Sequence, residues 1–211
     1  ADPDATFEWD GSRGVSVATS LGMTIEAKAD EHYIEANARI LCSELAKNRN
    51  IDDTIYVPIR TISRIYSLEC TWNGAEKSVY LTGTPTALEH GDTFYDSDIV
   101  YWLSRIISAE SRGEPFRGQI AVGNVILNRV GDSRFGQTVK DVIFQPGQFS
   151  VVSSGAINGQ PYAKSEICAK LVYEGYNTVG NALFFQTGRY WGSSMIETTW
   201  VAKIGDHNFF M

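Results

Sequence analysis

A turn-rich stretch near the middle of the chain constrains its fold more than any other feature. Residues 82–98, TGTPTALEHGDTFYDSD, carry glycine, proline, aspartate and serine in quick succession, as loops do. Before this stretch the pattern indicates strands and one short helix; after it the pattern indicates helices, with a strand pair near the end. The 211 residues are enough for two small domains. We therefore predict an α+β protein with domains at residues 1–88 and 96–211.

The first half contains a weak internal repeat. The segment EWDGSRGVSVATS (8–20) resembles TWNGAEKSVYLTG (71–83), since each runs from a tryptophan through Asp-Gly or Asn-Gly into an alternating segment around valine. These dipeptides are turn signals because Gly11 and Gly74 tolerate positive φ. Each copy therefore predicts a β-hairpin. The spacing from tryptophan to valine differs by one residue between the copies.

The segment between the two copies completes a small α+β module. Residues 54–70 predict a strand, a proline and a short amphipathic helix with Ile59, Ile62 and Ile65 on one face. Together with the second hairpin, IYVPIRTISRIYSLECTWNGAEKSVYLTG resembles the copper-amine-oxidase N-terminal-like module of bacterial exported proteins. The resemblance implies attachment to the cell envelope or spacing, and a spacer without a ligand is the alternative. No copper site is expected, because the histidines of this half are isolated.

Charge and composition exclude several classes of function. The formal net charge is −7, and residues 1–90 hold 8 Lys and Arg against 14 Asp and Glu. Without a basic stripe, nucleic acid is not expected as the main partner. No run of about 18 apolar residues predicts a membrane span. The three cysteines have no C-x-x-C spacing, which disfavours a zinc site or a redox pair. A bridge between Cys42 and Cys70 and three free thiols both stay open.

The strongest candidate for chemistry is a glutamate at the end of an apolar helix in the second half. Asp96 or Ser97 is placed to cap this helix. Its apolar positions share one face: Ile99, Val100, Leu103, Ile106 and Ile107. Glu110 projects from the same face, because it lies four residues after Ile106. The helix dipole and desolvation both disfavour the anion there and raise the pKa of Glu110, as a general acid near neutral pH requires.

The remaining elements of the second half follow from periodicity and turn signals. Further helices are predicted at residues 118–130, 139–143 and 163–175. Residues 145–150, QPGQFS, predict a loop, while residues 181–188 and 198–210 predict strands. Asn124 and Asn128 lie four residues apart on the buried helix and are expected to satisfy backbone groups near the site.

Four segments, in order, carry a second resemblance. AESRGEPFRGQIAVGNVILNRV, VIFQPGQFS, NALFF and KIGDHNFF resemble the catalytic domain of SleB-type spore-cortex-lytic enzymes and related cell-wall hydrolases. The resemblance covers almost all of residues 96–211. That family is similar to goose-type lysozymes and soluble lytic transglycosylases, which implies a mainly α, lysozyme-like domain with a small β-sheet. It implies cleavage of the β-1,4 bond between N-acetylmuramic acid and N-acetylglucosamine in peptidoglycan, with Glu110 matching the catalytic acid of the motif A-E-[SA]-R-G-E.

Seven further residues are candidates for substrate binding. They are Ser111, Gln148, Phe149, Ser150, Phe184, Phe185 and His207. Ser111 follows the acid and is expected to bond to it or to the substrate; the alternative is a hydroxyl that only satisfies the helix end. Gln148 and Ser150 match the loop that lines the substrate in related transglycosylases, or else belong to an ordinary polar turn.

Residues on the predicted strands have similar alternatives. One of Phe184 and Phe185 is expected to face the core and the other the cleft, where an aromatic face suits a sugar ring. For His207 we prefer a bracing role for the terminal strand over acid–base or metal chemistry. Arg112 and Glu114 are expected to form a local ion pair.

The products depend on whether a second carboxylate takes part. A hydrolase needs one. A lytic transglycosylase does not, because the 6-hydroxyl of the sugar itself attacks and leaves a 1,6-anhydromuramoyl end. The possible second carboxylates are Glu114, Asp141, Glu166 and Glu174, and no motif marks any of them. We therefore expect a lytic transglycosylase, with a muramidase-type hydrolase or a non-catalytic wall-binding protein as alternatives.

The same interpretation defines the expected partners and location. The partner is peptidoglycan of the spore cortex or the cell wall, with accessory envelope proteins. No metal or cofactor is expected. We expect an exported protein of the cell wall or spore envelope, because of both resemblances. The opening residues are acidic rather than apolar, so a signal peptide is not expected within this chain.

Overall fold

The chain forms two compact units. A computed structural model describes residues 2–43, 46–188 and 199–211. The units are Ala1–Phe94 and Tyr95–Met211. Strands dominate the described part of the first unit and helices that of the second, which confirms the predicted α+β class. Within the described ranges, no helix combines the length and the apolar character needed to cross a membrane.

An antiparallel sheet and a short helix make the core of the first unit. The sheet contains, in spatial order, β1 (Thr6–Asp10), β2 (Val15–Ser20), β3 (Met23–Lys28), β4 (Ile34–Ala36) and β5 (Arg39–Leu41). Met23, Ile25 and Ala27 alternate along β3 and point into the core, as the period of two in a strand requires. The predicted helix is confirmed as α1 (Ile59–Ile65), which starts after Pro58 and buries Ile65 in the same core.

The two copies of the sequence repeat are two hairpins of matching geometry. A pair of short strands, β6 (Arg49–Ile51) and β7 (Thr54–Tyr56), precedes α1, and the second hairpin, β8 (Glu69–Asn73) with β9 (Ser78–Thr82), follows it. The register pairs Trp9 with Ser16 in the first hairpin and Trp72 with Val79 in the second. Both hairpins therefore have the same register, and the one-residue difference in tryptophan-to-valine spacing means that Ser16 faces Trp9 where Val79 faces Trp72.

A side-chain cap, not a glycine at positive φ, starts each of the two turns. Asp10 Oδ1 accepts a hydrogen bond from the backbone N–H of Ser12 at 3.0 Å. Asn73 Oδ1 accepts one from the N–H of Ala75, also at 3.0 Å. Positive φ occurs at the last loop position, at Gly14 and Lys77, rather than directly after the Asp or Asn. The dipeptides thus predicted the hairpins correctly, although the glycine has a different role in the turn.

The second unit has three principal helices that pack on one another. After α2 (Gly91–Phe94) of the first unit, the chain forms α3 (Ser97–Ser111), α4 (Phe116–Val130), α5 (Val139–Phe144), α6 (Ser150–Ser153), the 3₁₀-helix Ala156–Asn158 and α7 (Ala163–Tyr173). Helices α3, α4 and α7 contact each other pairwise. Asp96 caps α3 by accepting from the N–H groups of Asp98 and Ile99 at 2.9 and 3.1 Å. The helices predicted from periodicity are therefore present.

The chain ends in a small antiparallel sheet. Strands β10 (Phe184–Thr187), β12 (His207–Phe210) and β11 (Trp200–Ile204) lie in that order. The single strand predicted at residues 198–210 is in fact a hairpin, because the chain reverses at Gly205, where φ is +59°. Residue 198 lies outside the described residues.

Gly123 allows the three principal helices to approach closely. A β-carbon at this position would lie 2.8 Å from Ile107 Cδ1 and 2.8 Å from Val172 Cγ2, which belong to α3 and α7. We expect Gly123→Val to lower the free energy of unfolding by about 1–3 kcal/mol, since added volume in a packed core forces its neighbours apart. Chemical denaturation measures this change.

The matched control for this substitution is Gly131→Ala, at the end of α4. There an added β-carbon meets only Asn128 O at 3.6 Å, and φ is −82°. We expect the control to leave stability nearly unchanged. Equal stability of the two variants would show that the helices do not depend on the glycine at position 123.

Candidate active site

Glu110 lies in the last turn of α3, at the edge of the core. Ile106 and Ile107, one turn earlier, are fully buried, whereas Glu110 is half-buried. Burial raises the pKa of Glu110 above its usual value, because removal from water disfavours the anion. Its carboxyl group makes no hydrogen bond to another described residue. The carboxyl group is thus partly desolvated and available to a ligand.

Glu110 borders a cleft that has two parts. The larger part, of about 750 Å³, is also lined by Glu114, Thr187, Gly188, Lys203, Asp206, His207 and Asn208. The smaller part, of about 280 Å³, is also lined by Arg129, Gln148, Phe149, Ser150, Phe185, Gln186, Thr187 and His207. Glu110, Thr187 and His207 line both parts, which we call the larger and the smaller cavity. Residues of the terminal sheet and of the end of α3 therefore line the same cleft.

Five of the predicted substrate-binding residues line the smaller cavity together with Glu110. They are Gln148, Phe149, Ser150, Phe185 and His207. Although Phe149 and Phe185 are far apart in sequence, their ring centroids lie 6.3 Å apart. The loop 145–150 and the terminal sheet thus supply neighbouring aromatic surfaces beside the carboxyl group of Glu110.

The two other predicted binding residues do not line either cavity. Ser111 is 3% exposed, and its hydroxyl donates to Ile107 O at 2.7 Å, inside its own helix. This geometry favours the alternative in which Ser111 satisfies the helix end. Phe184 packs against Phe135, with 6.0 Å between ring centroids, whereas Phe185 lines the cavity. Of the two phenylalanines, Phe185 therefore faces the cleft.

Glu114 ties the start of α4 to the turn of the terminal hairpin. Its Oε2 accepts a hydrogen bond from the N–H of Asp206 at 3.0 Å, and its Oε1 lies 3.5 Å from His207 Nδ1. A β-carbon at Gly205 would lie 1.8 Å from Glu114 Oε2, so the turn requires glycine for space as well as for its positive φ. The predicted ion pair of Glu114 with Arg112 is wrong, since Arg112 lies over the ring of Tyr162 instead.

His207 is a buried wall of the cleft. The residue is 3% exposed and packs edge-on against Phe185, with ring centroids 5.3 Å apart. Its Nδ1 has no hydrogen-bond partner of suitable geometry among the described residues. The backbone of His207 pairs with Thr187 and Ile204. These contacts support the bracing role and place the ring next to any ligand in the cleft.

The other predicted second carboxylates lie away from the cleft. Asp141 bonds to Thr138 at the start of α5, Glu174 accepts from the hydroxyl of Tyr95 at 3.0 Å, and Glu166 is exposed on α7. Asp206, which the sequence did not single out as an acid, lines the larger cavity. Its position next to His207 in KIGDHNFF was the available signal.

Arg129 was also missed from the sequence, because it stands within an apolar helix and its environment is made by distant residues. It is 5% exposed. Its Nε donates to Leu183 O at 2.7 Å, and its Nη1 donates to Gln148 Oε1 at 3.1 Å. Burial lowers its pKa to about 10. Arg129 therefore links α4, the loop 145–150 and the start of β10.

Two asparagines of α4 support the same wall, as predicted. Asn124 donates to Tyr176 O at 2.8 Å, and Asn128 donates to Ala182 O at 2.9 Å. They satisfy backbone carbonyls of the segment that leads into β10. Within the described ranges, no group of three or more His, Cys, Asp or Glu side chains is arranged to hold a metal ion.

The raised pKa of Glu110 predicts a stability that depends on pH. Between the unfolded and folded pKa values the native state binds more protons, so the stability attributable to this group falls as pH rises through that window. We expect Glu110→Gln to melt at a higher temperature than the unmodified protein at pH 7–8 and at the same temperature near pH 4. Thermal denaturation across this range measures the difference, with Glu166→Gln, on the exposed face of α7, as control. An equal melting temperature at pH 8 would contradict the desolvation of Glu110.

Comparisons with known proteins confirm both resemblances. Residues 113–210 match the Cell Wall Hydrolase family, and residues 2–81 match the Copper amine oxidase N-terminal domain. The first match begins after Glu110, so the assignment of Glu110 rests on the motif and on the geometry of the cleft.

The similar proteins include curated enzymes and a solved domain. A spore cortex-lytic enzyme of Bacillus cereus is 36% identical over 116 residues, which are 54% of this chain and 45% of that protein. A spore cortex-lytic enzyme of Oceanobacillus iheyensis is 34% identical over 121 residues, 54% of this chain and 42% of that protein. The chain thus spans less than half the length of these curated relatives.

The solved structure of the catalytic domain of the Bacillus cereus SleB protein aligns with a TM-score of 0.52 at 34% identity. The alignment covers 62% of this chain and all of that domain. Because a relative of this identity is covered in full, this chain belongs, through its second unit, to the cell wall hydrolase family.

Proposed function

We propose that the second unit cleaves the β-1,4 bond between N-acetylmuramic acid and N-acetylglucosamine in peptidoglycan. The observation that carries the proposal is the half-buried Glu110, whose pKa burial raises, in a cleft also lined by Gln148, Phe149, Phe185 and His207. A carboxyl group whose pKa is raised keeps its proton to a higher pH, which favours a role as general acid. The family membership and the spore cortex-lytic relatives support the same substrate class.

Glu110 acts first as an acid and then as a base in the proposed reaction. It donates its proton to the glycosidic oxygen while the bond from that oxygen to the anomeric carbon breaks, which leaves an oxocarbenium-like centre. The 6-hydroxyl of the same muramic acid then attacks the anomeric carbon, and the Glu110 carboxylate takes the hydroxyl proton. The products are a 1,6-anhydromuramoyl end and a free 4-hydroxyl. The cycle returns Glu110 to its protonated form.

The surroundings of the other acids favour the transglycosylase over the hydrolase. Glu114 accepts from the N–H of Asp206 through one oxygen and faces His207 with the other, so its carboxylate already has partners. A hydrolase requires a second carboxylate that activates water or attacks the sugar. Asp206 lines the larger cavity and is the residue that would take this role in the muramidase-type alternative.

The first unit is proposed to bind the envelope or to act as a spacer, and the site of action is the cell wall or spore envelope. Residues 2–81 match the Copper amine oxidase N-terminal domain, and this segment resembles a module of bacterial exported proteins. Trp9 and Trp72 occupy equivalent positions in the two hairpins and are 60% and 58% exposed. Exposed aromatic residues mark interaction surfaces and suit the apolar faces of sugar rings.

Mass spectrometry of soluble fragments tests the reaction. We expect peptidoglycan incubated with the protein to yield fragments with 1,6-anhydromuramoyl ends, because the 6-hydroxyl replaces water. We expect Glu110→Gln to lower the rate by about 10³-fold or more, since it removes the only proton donor assigned to the leaving group. Glu166→Gln, away from the cleft, should keep the rate of the unmodified protein.

The outcomes separate the alternatives. Reducing ends that disappear in Asp206→Asn would identify a muramidase-type hydrolase. Wall binding without any fragment would identify a non-catalytic binding protein. Full activity of Glu110→Gln would refute the assigned acid.

Wall binding by the first unit is tested in the full chain. We expect Trp9→Ala combined with Trp72→Ala to weaken co-sedimentation with intact cell walls roughly tenfold, because buried aromatic contacts dominate such interfaces. The rate on soluble glycan fragments should stay unchanged. Tyr56→Ala is the matched control, since Tyr56 is 55% exposed but lies on β7, outside the two hairpins. Unchanged sedimentation of the double variant would favour a spacer.

A further inference from the structure

Arg129 is a buried cation that has no counterion among the described residues. The side chain is 5% exposed, and no described carboxylate lies within ion-pair distance of its guanidinium group. Burying an unpaired charge is costly, and such charges in proteins are usually paired or bind a charged group. The mechanism proposed above does not use Arg129. The burial of this charge therefore needs a separate explanation.

The hydrogen bonds of Arg129 use only part of its donor capacity. A guanidinium group has five N–H donors. Nε donates to Leu183 O and Nη1 donates to Gln148 Oε1, and both acceptors are neutral. Nη2 makes no hydrogen bond to a described residue. At least one terminal nitrogen of Arg129 is thus available to a ligand.

Aromatic rings surround the guanidinium plane. The Arg129 Cζ atom lies 4.6 Å from the ring centroid of Phe135, 5.2 Å from that of Phe149 and 5.5 Å from that of Phe184. These rings stabilise the cation but accept no hydrogen bond in the plane of the group. Arg129 also lines the smaller cavity, which it shares with Glu110. A ligand in that cavity therefore reaches the free edge of the guanidinium group.

Glu110 is a candidate counterion for Arg129, since both residues line the smaller cavity. The two groups form no ion pair, and burial alone shifts the pKa of Glu110, upward. A close cation would have lowered that pKa. The charge of Arg129 is therefore not neutralised by the catalytic acid.

A planar guanidinium edge is best matched by a carboxylate, which accepts two parallel hydrogen bonds. N-acetylglucosamine is neutral, whereas muramic acid carries carboxylates, either on its own lactyl group or on the attached stem peptide. We propose that the smaller cavity is a carboxylate subsite in which Arg129 binds a carboxylate carried by the muramic acid of the substrate. This inference rests on the proposed function, which places muramic acid beside Glu110, and specifies which group of that sugar the smaller cavity recognises.

The test compares substrates with free and capped carboxylates. Peptide-free glycan strands, made with an amidase, present the lactyl carboxylate, and methylamine coupled by a carbodiimide caps it as a neutral amide. Peptide-bearing strands, free and capped in the same way, present the stem-peptide carboxylates. The unmodified protein, Arg129→Gln and Arg129→Lys are compared for KM and kcat on all four. Arg117→Gln is the matched control, because Arg117 is exposed on the same helix.

Capping is expected to raise the KM of the unmodified protein by roughly tenfold to a hundredfold, the usual effect of losing a hydrogen bond to a charged group. Arg129→Gln should have the same KM for free and capped strands, Arg129→Lys should keep part of the discrimination, and Arg117→Gln should keep all of it. An effect confined to peptide-free strands identifies the lactyl group as the source. An effect confined to peptide-bearing strands identifies the stem peptide.

Equal KM values of the unmodified protein for free and capped strands would overturn the subsite. An Arg129→Gln variant that still discriminates fully between free and capped strands would also overturn it. So would an Arg129→Gln variant that loses kcat equally on all strands and has a shifted pH profile, because Arg129 would then act through Glu110. Equilibrium binding of the same strands to Glu110→Gln gives this comparison without turnover. Failure of the proposed function, with no fragments released, is thus distinguishable from failure of the subsite, with no dependence of binding on the carboxylate.

Discussion

The close packing of α3 on α4 at Gly123 is the contact on which the second unit depends. Ile107 of α3 and Val172 of α7 occupy the space that a side chain at position 123 would fill. This packing buries one face of α3 completely. Glu110 lies near the end of that helix and is therefore half-buried. The raised pKa of Glu110 is a consequence of that position. Among the described residues, the fold thus positions Glu110 without a hydrogen-bond partner for its carboxyl group.

The terminal sheet completes the cleft through contacts between distant parts of the chain. Glu114, in the turn between α3 and α4, accepts from the backbone of Asp206 in the terminal hairpin, and Gly205 leaves room for its carboxylate. Arg129 makes a second link, from α4 to Gln148 and to the start of β10. The two links hold residues that line the larger and the smaller cavity, both of which Glu110 borders. A charged residue therefore supports each wall, and for Arg129 no counterion is present among the described residues.

The two hairpins of the first unit have the same local structure but different neighbouring strands. Both hairpins have the same register and the same side-chain cap at the turn. In the first, β2 pairs on its outer edge with β3. In the second, β9 pairs only with β8 among the described residues. The exposed aromatic residues that follow from this arrangement are the basis for proposing a wall-binding surface there.

The sequence by itself determined the features that depend on neighbours along the chain. The helix that carries Glu110, its cap at Asp96, the hairpins and the buried α4 all follow from periodicity and local hydrogen bonding. Only the tertiary structure decided which of Phe184 and Phe185 faces the cleft, that Ser111 bonds within its helix, and that Glu114 holds a distant turn. The same holds for Arg129 and Asp206, whose places in the cleft depend on burial and on segments far away in sequence. A local pattern carries no information on such contacts, because the free energy of a buried charge or hydroxyl is set by what surrounds it in space.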